Sequence, residues 1–523
     1  MLESIKKIFS YAEKKHLFEN INLAFLCIFT VYTLLREVIP IKIFIGNSLL
    51  SYSAFAFCLI LTILNVIRDK KFFKIPDLIL FSVFLAVACV SVLVNREFAF
   101  MSNINGLLWS ATFFFYIFPI GRHIFATNER FTKIYFASVV ATVTLLVLVS
   151  LPTYYFDIDY TYIKTNGVLE TNQGFSNLYV RLWGVFQEAN YGAICAVTAL
   201  TMCIYLFIKS KTLIAKSAVL IAGLLSLSYI VLSGSRTALL VSAIACVWAG
   251  FYFAFTNIDK KLFTRTAISV VSGILVTGIY LCIFFGAKTL IPYTKTAFLN
   301  IVPADTYATV HKTYDAVYKN GEVNVLKGFY EETTVPEETT VPEETTIPEE
   351  TTVPEETTIP EETTVPEEPT TNPVIKLERP DLIEDEDDVS NGRFRRWIEG
   401  FEVFKSAPLF GTSPRGIFEF AKVHNPDTYI AKFNHSISNA YLEVLAGTGI
   451  IGFIVLLFII FRALYISYFQ NLTKKFNFTY LFYSLIVLIT ACTAFLMSDL
   501  FFNLTFGGTV FWLSLGAISK KKK

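Results

Sequence analysis

Charged residues are scarce in this chain of 523 residues, and their scarcity excludes a soluble globular protein. Asp, Glu, Lys and Arg together make up 17% of the sequence, whereas 54% is hydrophobic and 16% is aromatic. In a soluble protein of this length, roughly a quarter of the residues are charged. The apolar residues also occur in blocks that are long enough to cross about 30 Å of hydrocarbon. The composition therefore predicts an all-α polytopic membrane protein.

Cysteine is absent from the one long polar region of the chain, residues 288–439. All eight cysteines lie within apolar blocks, and their spacing matches neither a metal site nor a disulfide framework. We therefore interpret them as small residues at helix interfaces and expect no metal and no cofactor. The first apolar block has no small-residue cleavage site, which favours a retained helix over a signal peptide.

Twelve apolar blocks predict twelve transmembrane helices. They cover residues 18–35, 43–67, 75–94, 99–120, 131–152, 188–208, 213–232, 237–256, 264–286, 440–467, 476–497 and 500–518. Lysine and arginine concentrate in alternate short connections, so the positive-inside rule places both termini in the cytoplasm. The chain then divides into helices 1–9 (1–287), an extracytoplasmic loop (288–439) and helices 10–12 (440–523), in the cytoplasmic membrane.

Six copies of an acidic hexapeptide interrupt the long loop at residues 331–366, of which four read EETTVP and two, the third and the fifth, read EETTIP. Proline at every sixth position prevents a continuous helix, and the paired glutamates repel one another. We interpret residues 331–388 as an extended, solvated spacer without catalytic duty. The remainder, 391–439, has a helical pattern and is the part of the loop expected to carry catalysis.

An amphipathic helix is predicted at residues 391–405. Its apolar stripe recurs at helical spacing, and Arg393 and Arg396 share a neighbouring face. Two guanidiniums one turn apart suit a diphosphate, which offers several oxygens to their forked donors. Alternatively, these arginines only anchor a surface helix at the membrane. The stripe consists of Phe394, Trp397, Ile398, Phe401 and Phe404.

Arg236 stands at a junction between two apolar spans, in the sequence Ser233-Gly-Ser-Arg236. An arginine this close to the apolar interior of a membrane is energetically unfavourable, and it normally faces a protein interior or a wet cavity. Gly234 permits a sharp reversal, and the helix that begins near Thr237 offers backbone donors to an anion. The alternative is an interfacial arginine in a tight hairpin.

A polar segment leads from Arg181 into the sixth apolar block. Within it, Gln187, Glu188 and Asn190 either bind sugar hydroxyls or cap the helix that follows. In the second half of the long loop, His435 and His424 are the histidines placed to accept a proton from an attacking hydroxyl. The alternative for either histidine is an exposed side chain without a role.

Together these motifs resemble the O-antigen ligase and O-antigen polymerase (Wzy-like) superfamily of polytopic, GT-C-like membrane glycosyltransferases. The resemblance covers roughly residues 180–465. Two positions depart from the family pattern: Ser438 stands where a histidine often precedes the asparagine, and Ser413 where a second glycine is usual. The matching stretches are Ser233-Gly-Ser-Arg236, Gly392-Arg393 with Trp397, Pro408 with Gly411, and Asn439-Ala-Tyr441-Leu-Glu continuing to Gly449 and Gly452.

The resemblance implies transfer of a glycan from an undecaprenyl-diphosphate carrier to an acceptor hydroxyl outside the cytoplasmic membrane, without a metal. It implies that Arg236 and Arg393 stabilise the diphosphate leaving group. It also makes His435 the acceptor-side base or orienting group, with His424 as the substitute. The implied substrate-binding residues are Arg181, Gln187, Glu188, Asn190, Arg396, Asn439 and Tyr441.

Two other functions compete with the enzyme. Twelve spans also fit a polysaccharide-lipid flippase or another transporter, although no internal half-repeat is visible and the polar motifs lie on one predicted side. A structural protein that displays an acidic stalk would not need the arginines. Within the enzyme class, polymerase and ligase both remain open, and the stalk favours a polymerase slightly.

Overall fold

The structure is a computed structural model that describes residues 17–46, 48–75, 77–126, 128–163, 170–176, 180–303, 305–310, 392–433, 436–469, 472, 475–497 and 500–519. Ten of the described helices are long and apolar enough to cross a membrane, and the predicted helical, polytopic architecture is confirmed. They are α1 (Leu17–Leu35), α3 (Ser48–Arg68), α4 (Asp77–Val94), α5 (Phe100–Phe125), α6 (Glu129–Tyr155), α7 (Ala189–Lys209), α8 (Leu213–Leu232), α9 (Arg236–Asn257), α10 (Leu262–Ile301) and α14 (Ala440–Leu464).

Two further apolar helices are shorter, α15 (Phe478–Ala494) and α16 (Phe506–Ile518). The count of twelve crossings therefore stays a prediction. The remaining helices are short or polar and lie between the long ones. They are α2 (Ile39–Ile45), α11 (Arg393–Ser406), α12 (Ile417–His424) and α13 (Tyr429–Phe433).

Contacts between helix ends indicate that successive long helices alternate in direction. Arg68 at the end of α3 lies 3.6 Å from Glu19 in the first turn of α1. Arg122 near the end of α5 donates to the carbonyl of Ser519 after α16, at 2.7 Å. We name this side of the bundle the paired end. The described segments 36–46, 156–163, 170–176, 180–188, 233–235, 392–433 and 436–439 lie at the other side, which we name the site end.

A small antiparallel sheet lies at the site end, in a segment where the sequence indicated no strands. It consists of β1 (Asp159–Ile163), β2 (Glu170–Ser176) and β3 (Arg181–Gly184). Beyond β3 the chain forms an antiparallel bridge between Phe186 and Val38. The Gln187 N–H donates to the Glu37 carbonyl at 2.8 Å. This bridge fixes the connection after α1 against the entry to α7.

Helix α10 continues well past the predicted end of its apolar block at residue 286. Its extension carries Lys295, which is only 2% exposed and forms an ion pair with Asp157. The Lys295 ammonium also lies 4.8 Å from the ring centre of Tyr154 and 5.3 Å from that of Phe175. A buried lysine needs such partners, and here they attach the extended helix to the sheet.

Helices α11 to α13 form a small lobe that docks on α14 through glycines. Gly411 (φ +71°) and Gly449 (φ +67°) adopt the left-handed region, which glycine enters without steric cost. A Cβ atom on Gly411 would lie 2.5 Å from the backbone of Gly447 and of Gly449. Asn95 at the end of α4 donates to the Gly411 carbonyl at 2.8 Å. The family-like glycines therefore allow two backbones to touch.

Candidate functional site

A tight hairpin between α8 and α9 presents Arg236 at the site end. Gly234 has φ +58°, which provides the predicted reversal. Ser235 is the N-cap of α9, and its hydroxyl accepts from the Ala238 N–H at 3.1 Å. The Ser233 hydroxyl accepts from the Ser235 N–H at 3.3 Å. Arg236 is the exposed first residue of the helix, a position where the helix dipole favours an anion.

Asn190 joins three segments behind that hairpin. Its side-chain oxygen accepts from the Arg181 guanidinium and from the Ser235 hydroxyl, the latter at 2.9 Å. Its amide nitrogen donates to the Glu188 carboxylate at 2.8 Å. Arg181 is 7% exposed and also donates to the Ser233 carbonyl at 2.7 Å. These bonds make a rigid scaffold for Arg236. Substrate binding by Arg181 and Asn190 stays a prediction.

A cavity of about 180 Å³ opens beside this scaffold, between α7, α15 and the connection from α15 to α16. Its mouth carries carboxylates and an amide, and its interior is lined by apolar side chains and by the buried Thr198 and Thr490. Glu188 occupies the N-cap position of α7 but makes no side-chain capping bond, so its carboxylate is presented to the mouth. The lining includes Glu37, Gln187, Glu188 and Thr505 at the mouth and Ile194 and Met497 inside.

Glu37 lines the cavity, and the sequence analysis did not single it out. Burial raises the pKa of its carboxyl, Lys42 and Arg36 lower the pKa, and Glu188 raises it further, with a net rise. Among the residues that the structure describes, the Glu37 carboxyl has no hydrogen-bond or ion-pair partner. No motif marks Glu37, because only the bridge between Val38 and Phe186 brings it to the cavity.

The second arginine-bearing segment is α11, which matches the helix predicted at 391–405. Arg396 donates to the Ser438 hydroxyl at 2.7 Å and to the Gly392 carbonyl at 3.2 Å. Arg393 is the partly buried first residue of the helix. The predicted apolar stripe divides in two. Trp397 and Phe404 pack on the core of the lobe, whereas Phe394, Ile398 and Phe401 are exposed.

Asn439 and Tyr441 have structural bonds at the start of α14. The Asn439 side chain caps the helix by accepting from the Tyr441 and Leu442 N–H groups at 3.0 and 3.2 Å. The Tyr441 hydroxyl donates to the Ala491 carbonyl at 3.0 Å, beside the Thr490 and Thr493 that line the cavity. α14 therefore braces the α15 wall of the cavity. The predicted substrate contacts of Asn439 and Tyr441 are not tested by these bonds.

The two departures from the family pattern both coincide with left-handed backbone. Ser413 has φ +72° and Ser438 has φ +56°, a conformation that costs a serine about 1–2 kcal/mol. Hydrogen bonds hold both residues there. Asn103 donates to the Ser413 hydroxyl at 2.9 Å, and Arg396 to the Ser438 hydroxyl. A family histidine at the position of Ser438 is thus replaced by an acceptor for a guanidinium.

Comparison with known proteins identifies the central part of the chain. A family model described as O-antigen ligase matches residues 221–457. This region is similar to the O-antigen ligase family. The predicted resemblance is confirmed, and with it a role in glycosyl transfer at a membrane. No curated protein and no solved structure matches the chain.

The O-antigen ligase match includes Arg236, Arg393 and Arg396, but the cavity mouth at Glu37 and at 187–188 precedes it. Part of the cavity lining therefore comes from residues outside the matched region. Contacts connect the two parts, because Glu188 bonds Asn190 and Asn190 bonds Ser235 of the hairpin.

Of the two predicted bases, His424 lies within the described residues and His435 lies outside them. His424 is exposed at the end of α12, where its ring packs 4.2 Å from that of Phe420 and 6.0 Å from that of Phe98. It is not among the residues that line the described cavity. Within the described part of the chain, no three His, Cys, Asp or Glu side chains group as a metal site.

Proposed function

We propose that the chain moves a glycan from an undecaprenyl-diphosphate carrier to an acceptor hydroxyl on the outer face of the cytoplasmic membrane. The family match supports glycosyl transfer at a membrane. The observation that carries the finer proposal is the hydrogen-bonded connection from Glu188, which lines the cavity, through Asn190 to Ser235, the N-cap of the helix that begins with Arg236.

The leaving group in this reaction is a diphosphate, and arginine is suited to receive it. As the bond from the sugar to the diphosphate breaks, negative charge develops on the bridging oxygen. A guanidinium held in place stabilises that charge more in the transition state than in the ground state. Arg236 adds to this the N-terminal dipole of α9. Arg393, at the start of α11, is proposed to bind the same group.

The cavity volume indicates how much of a glycan can enter. At about 180 Å³ it is smaller than the roughly 300–1,000 Å³ of pockets for drug-sized ligands. It suits a single sugar ring at the reacting end, while the rest of the glycan remains outside. The carboxylates and the amide at its mouth can accept and donate hydrogen bonds to sugar hydroxyls.

A flippase receives less support from this arrangement. Transporters place their substrate sites near the midplane of the membrane, at the interface of internal repeats. The charged residues that line the described cavity, Glu37 and Glu188, instead stand at helix ends. No described observation favours transport over transfer.

Deletion of the gene, followed by glycan profiling, tests the proposal and distinguishes its two forms. Loss of a polymerase should leave single repeat units on the carrier or at the surface. Loss of a ligase should leave long chains on the carrier. Complementation with the intact chain should restore the original profile. An unchanged profile after deletion would contradict both forms.

A further inference from the structure

We propose that Glu37 is the base that takes the proton from the acceptor hydroxyl, and that the cavity below it receives the acceptor sugar. This inference rests on the proposed glycosyl transfer and adds to it a residue from the first connection of the chain. It assigns the proton transfer to a carboxylate of the cavity mouth.

The backbone fixes where Glu37 lies. Val38 bridges to Phe186, the Ile39 N–H donates to the Val185 carbonyl at 3.1 Å, and the Gln187 N–H donates to the Glu37 carbonyl. A residue held by paired backbone has little freedom to leave the cavity. Such a position on a bonded segment is what a general base requires, because it must stay within hydrogen-bond reach of one hydroxyl.

Two carboxylates share the mouth, and their surroundings differ. Glu188 is exposed and accepts a hydrogen bond from Asn190. Glu37 is partly buried and has no such bond among the described residues. The two environments assign separate tasks: Glu188 orients Asn190 and the sugar, and Glu37 accepts the proton.

Charged and titratable groups face Glu37 from its own segment, from α2 and from the start of α7. Among described residues, the titratable groups in electrostatic contact with it are Arg36, Lys42, Glu188, Tyr191 and Cys195. Burial is the largest influence, and it raises the pKa of Glu37 above the ordinary 4.5 despite the two cations. A base is most effective when its pKa approaches the working pH, so this shift suits the task.

The proposed reaction is a single displacement at the anomeric carbon of the donor sugar. The acceptor oxygen forms a bond to the anomeric carbon of the donor sugar, and its proton moves to the Glu37 carboxylate. The bond from that carbon to the carrier diphosphate breaks, and the diphosphate leaves with the electron pair. Glu37 then returns its proton to solvent. The link from Glu188 through Asn190 to Ser235 joins the base side of the cavity to the hairpin of Arg236.

The test compares Glu37→Gln with Glu97→Gln in the full-length protein reconstituted in nanodiscs. Glu97 is an exposed carboxylate at the same end of the bundle, between α4 and α5. The substrate is the lipid-linked glycan fraction extracted from cells that lack the gene, in which unconsumed donor and acceptor accumulate. Transfer is followed by gel electrophoresis of the glycans from pH 4 to pH 9, a range set by the titration of glutamate and histidine.

We expect Glu37→Gln to reduce the transfer rate about 10²–10⁴-fold, the usual contribution of general base catalysis. Glu97→Gln should match the wild-type rate. The wild-type rate should fall as the pH drops through the raised pKa of Glu37, because only the ionised carboxylate accepts a proton. Glu37→Gln should lose that acid limb, and Glu37→Asp should restore part of the rate and keep a limb.

Two further measurements distinguish a catalytic role of Glu37 from a structural one. They are retention of the lipid-linked donor and the melting temperature of the protein. Glu37→Gln should still retain the extracted donor, whereas Arg236→Ala should not. Because the pKa is raised in the folded protein, the ionised carboxylate weakens folding increasingly as pH rises through that pKa. Glu37→Gln should therefore melt at the same temperature as wild type, or higher, at neutral pH.

Two results would overturn the inference alone. One is a Glu37→Gln protein that transfers at the wild-type rate with an unchanged acid limb. The other is a loss of rate that accompanies a lower melting temperature while the limb persists. If the wild-type protein itself fails to transfer the extracted glycans, the proposed function is wrong, and the inference is wrong with it.

Discussion

The described arginine bonds differ between the two ends of the helix bundle. At the paired end, Asp77 pairs with Arg462 and lies 4.0 Å from Arg122. At the site end, the described hydrogen bonds of Arg181 and Arg396 go to carbonyl, amide and hydroxyl oxygens, although Lys295 at the same end pairs with Asp157. The paired-end bonds join one helix end to another, whereas the bonds of Arg181 and Arg396 orient a guanidinium. We therefore expect substitutions at the two ends to affect different properties.

The largest expected effect tests the site end. Arg236→Ala should reduce glycan transfer about 10²–10³-fold, the usual loss when one charge-stabilising donor is removed. Stability should not change, because the side chain is exposed. Arg393→Ala should reduce transfer to a similar extent, and because Arg393 is partly buried, the stability of this variant has to be measured alongside. Activity in membranes and the melting temperature of the purified protein measure the two effects.

The matched control for the arginines is Arg395→Ala. Arg395 stands between Arg393 and Arg396 on α11 but is exposed and pairs with Glu399 at 3.1 Å. Exposed pairs contribute little, so this variant should transfer normally. If all three variants made normal polymer, the arginine site would be wrong.

The second effect tests the scaffold behind Arg236. Asn190→Ala removes the acceptor of both Arg181 and Ser235, which leaves a buried guanidinium short of one partner. We expect a loss of about 1–3 kcal/mol in the free energy of unfolding, together with lower activity. Asn257→Ala is the control, since Asn257 is exposed at the other end of α9 and bonds only within its helix. Unchanged stability and activity of Asn190→Ala would argue against a scaffold.

The paired end should respond in the opposite sense. Asp77→Asn removes the carboxylate shared by Arg122 and Arg462, so the melting temperature should fall while turnover per folded molecule persists. The cost should be below the about 3–5 kcal/mol of a fully buried pair, because Arg462 is 37% exposed. If Asp77→Asn lowered turnover without changing stability, the difference proposed between the paired end and the site end would be wrong.

The smallest effect is expected from the acidic repeat. Deletion of residues 331–366, which lie outside the described residues, should leave the transfer rate unchanged because a solvated spacer contributes no group to the reaction. A scrambled sequence of equal length and composition is the control. Complete loss of activity in a well-expressed deletion protein would contradict the interpretation as a spacer.

Sequence periodicity predicted those features that depend on local pattern. The long apolar blocks and the helix of Arg393 and Arg396 follow from hydrophobic spacing, and the reversal at Gly234 follows from local turn chemistry. Glu37 could not be found in this way, because its place beside Gln187 depends on pairing between distant segments. The continuation of α10 was also missed, since Lys288 ended the apolar pattern. The pairing of Lys295 with Asp157, which makes a buried lysine compatible with the extended helix, depends on a distant segment.

Helix α10 is longer than one membrane crossing requires. Forty residues at 1.5 Å each give it a length of about 60 Å, twice the roughly 30 Å of hydrocarbon that it has to cross. The chain thus leaves Ile301 up to about 30 Å above the lipid, at a level set by the Lys295 attachment. We expect that gaining repeats lengthens, and losing repeats shortens, the segment that follows Ile301, while α10 keeps its length.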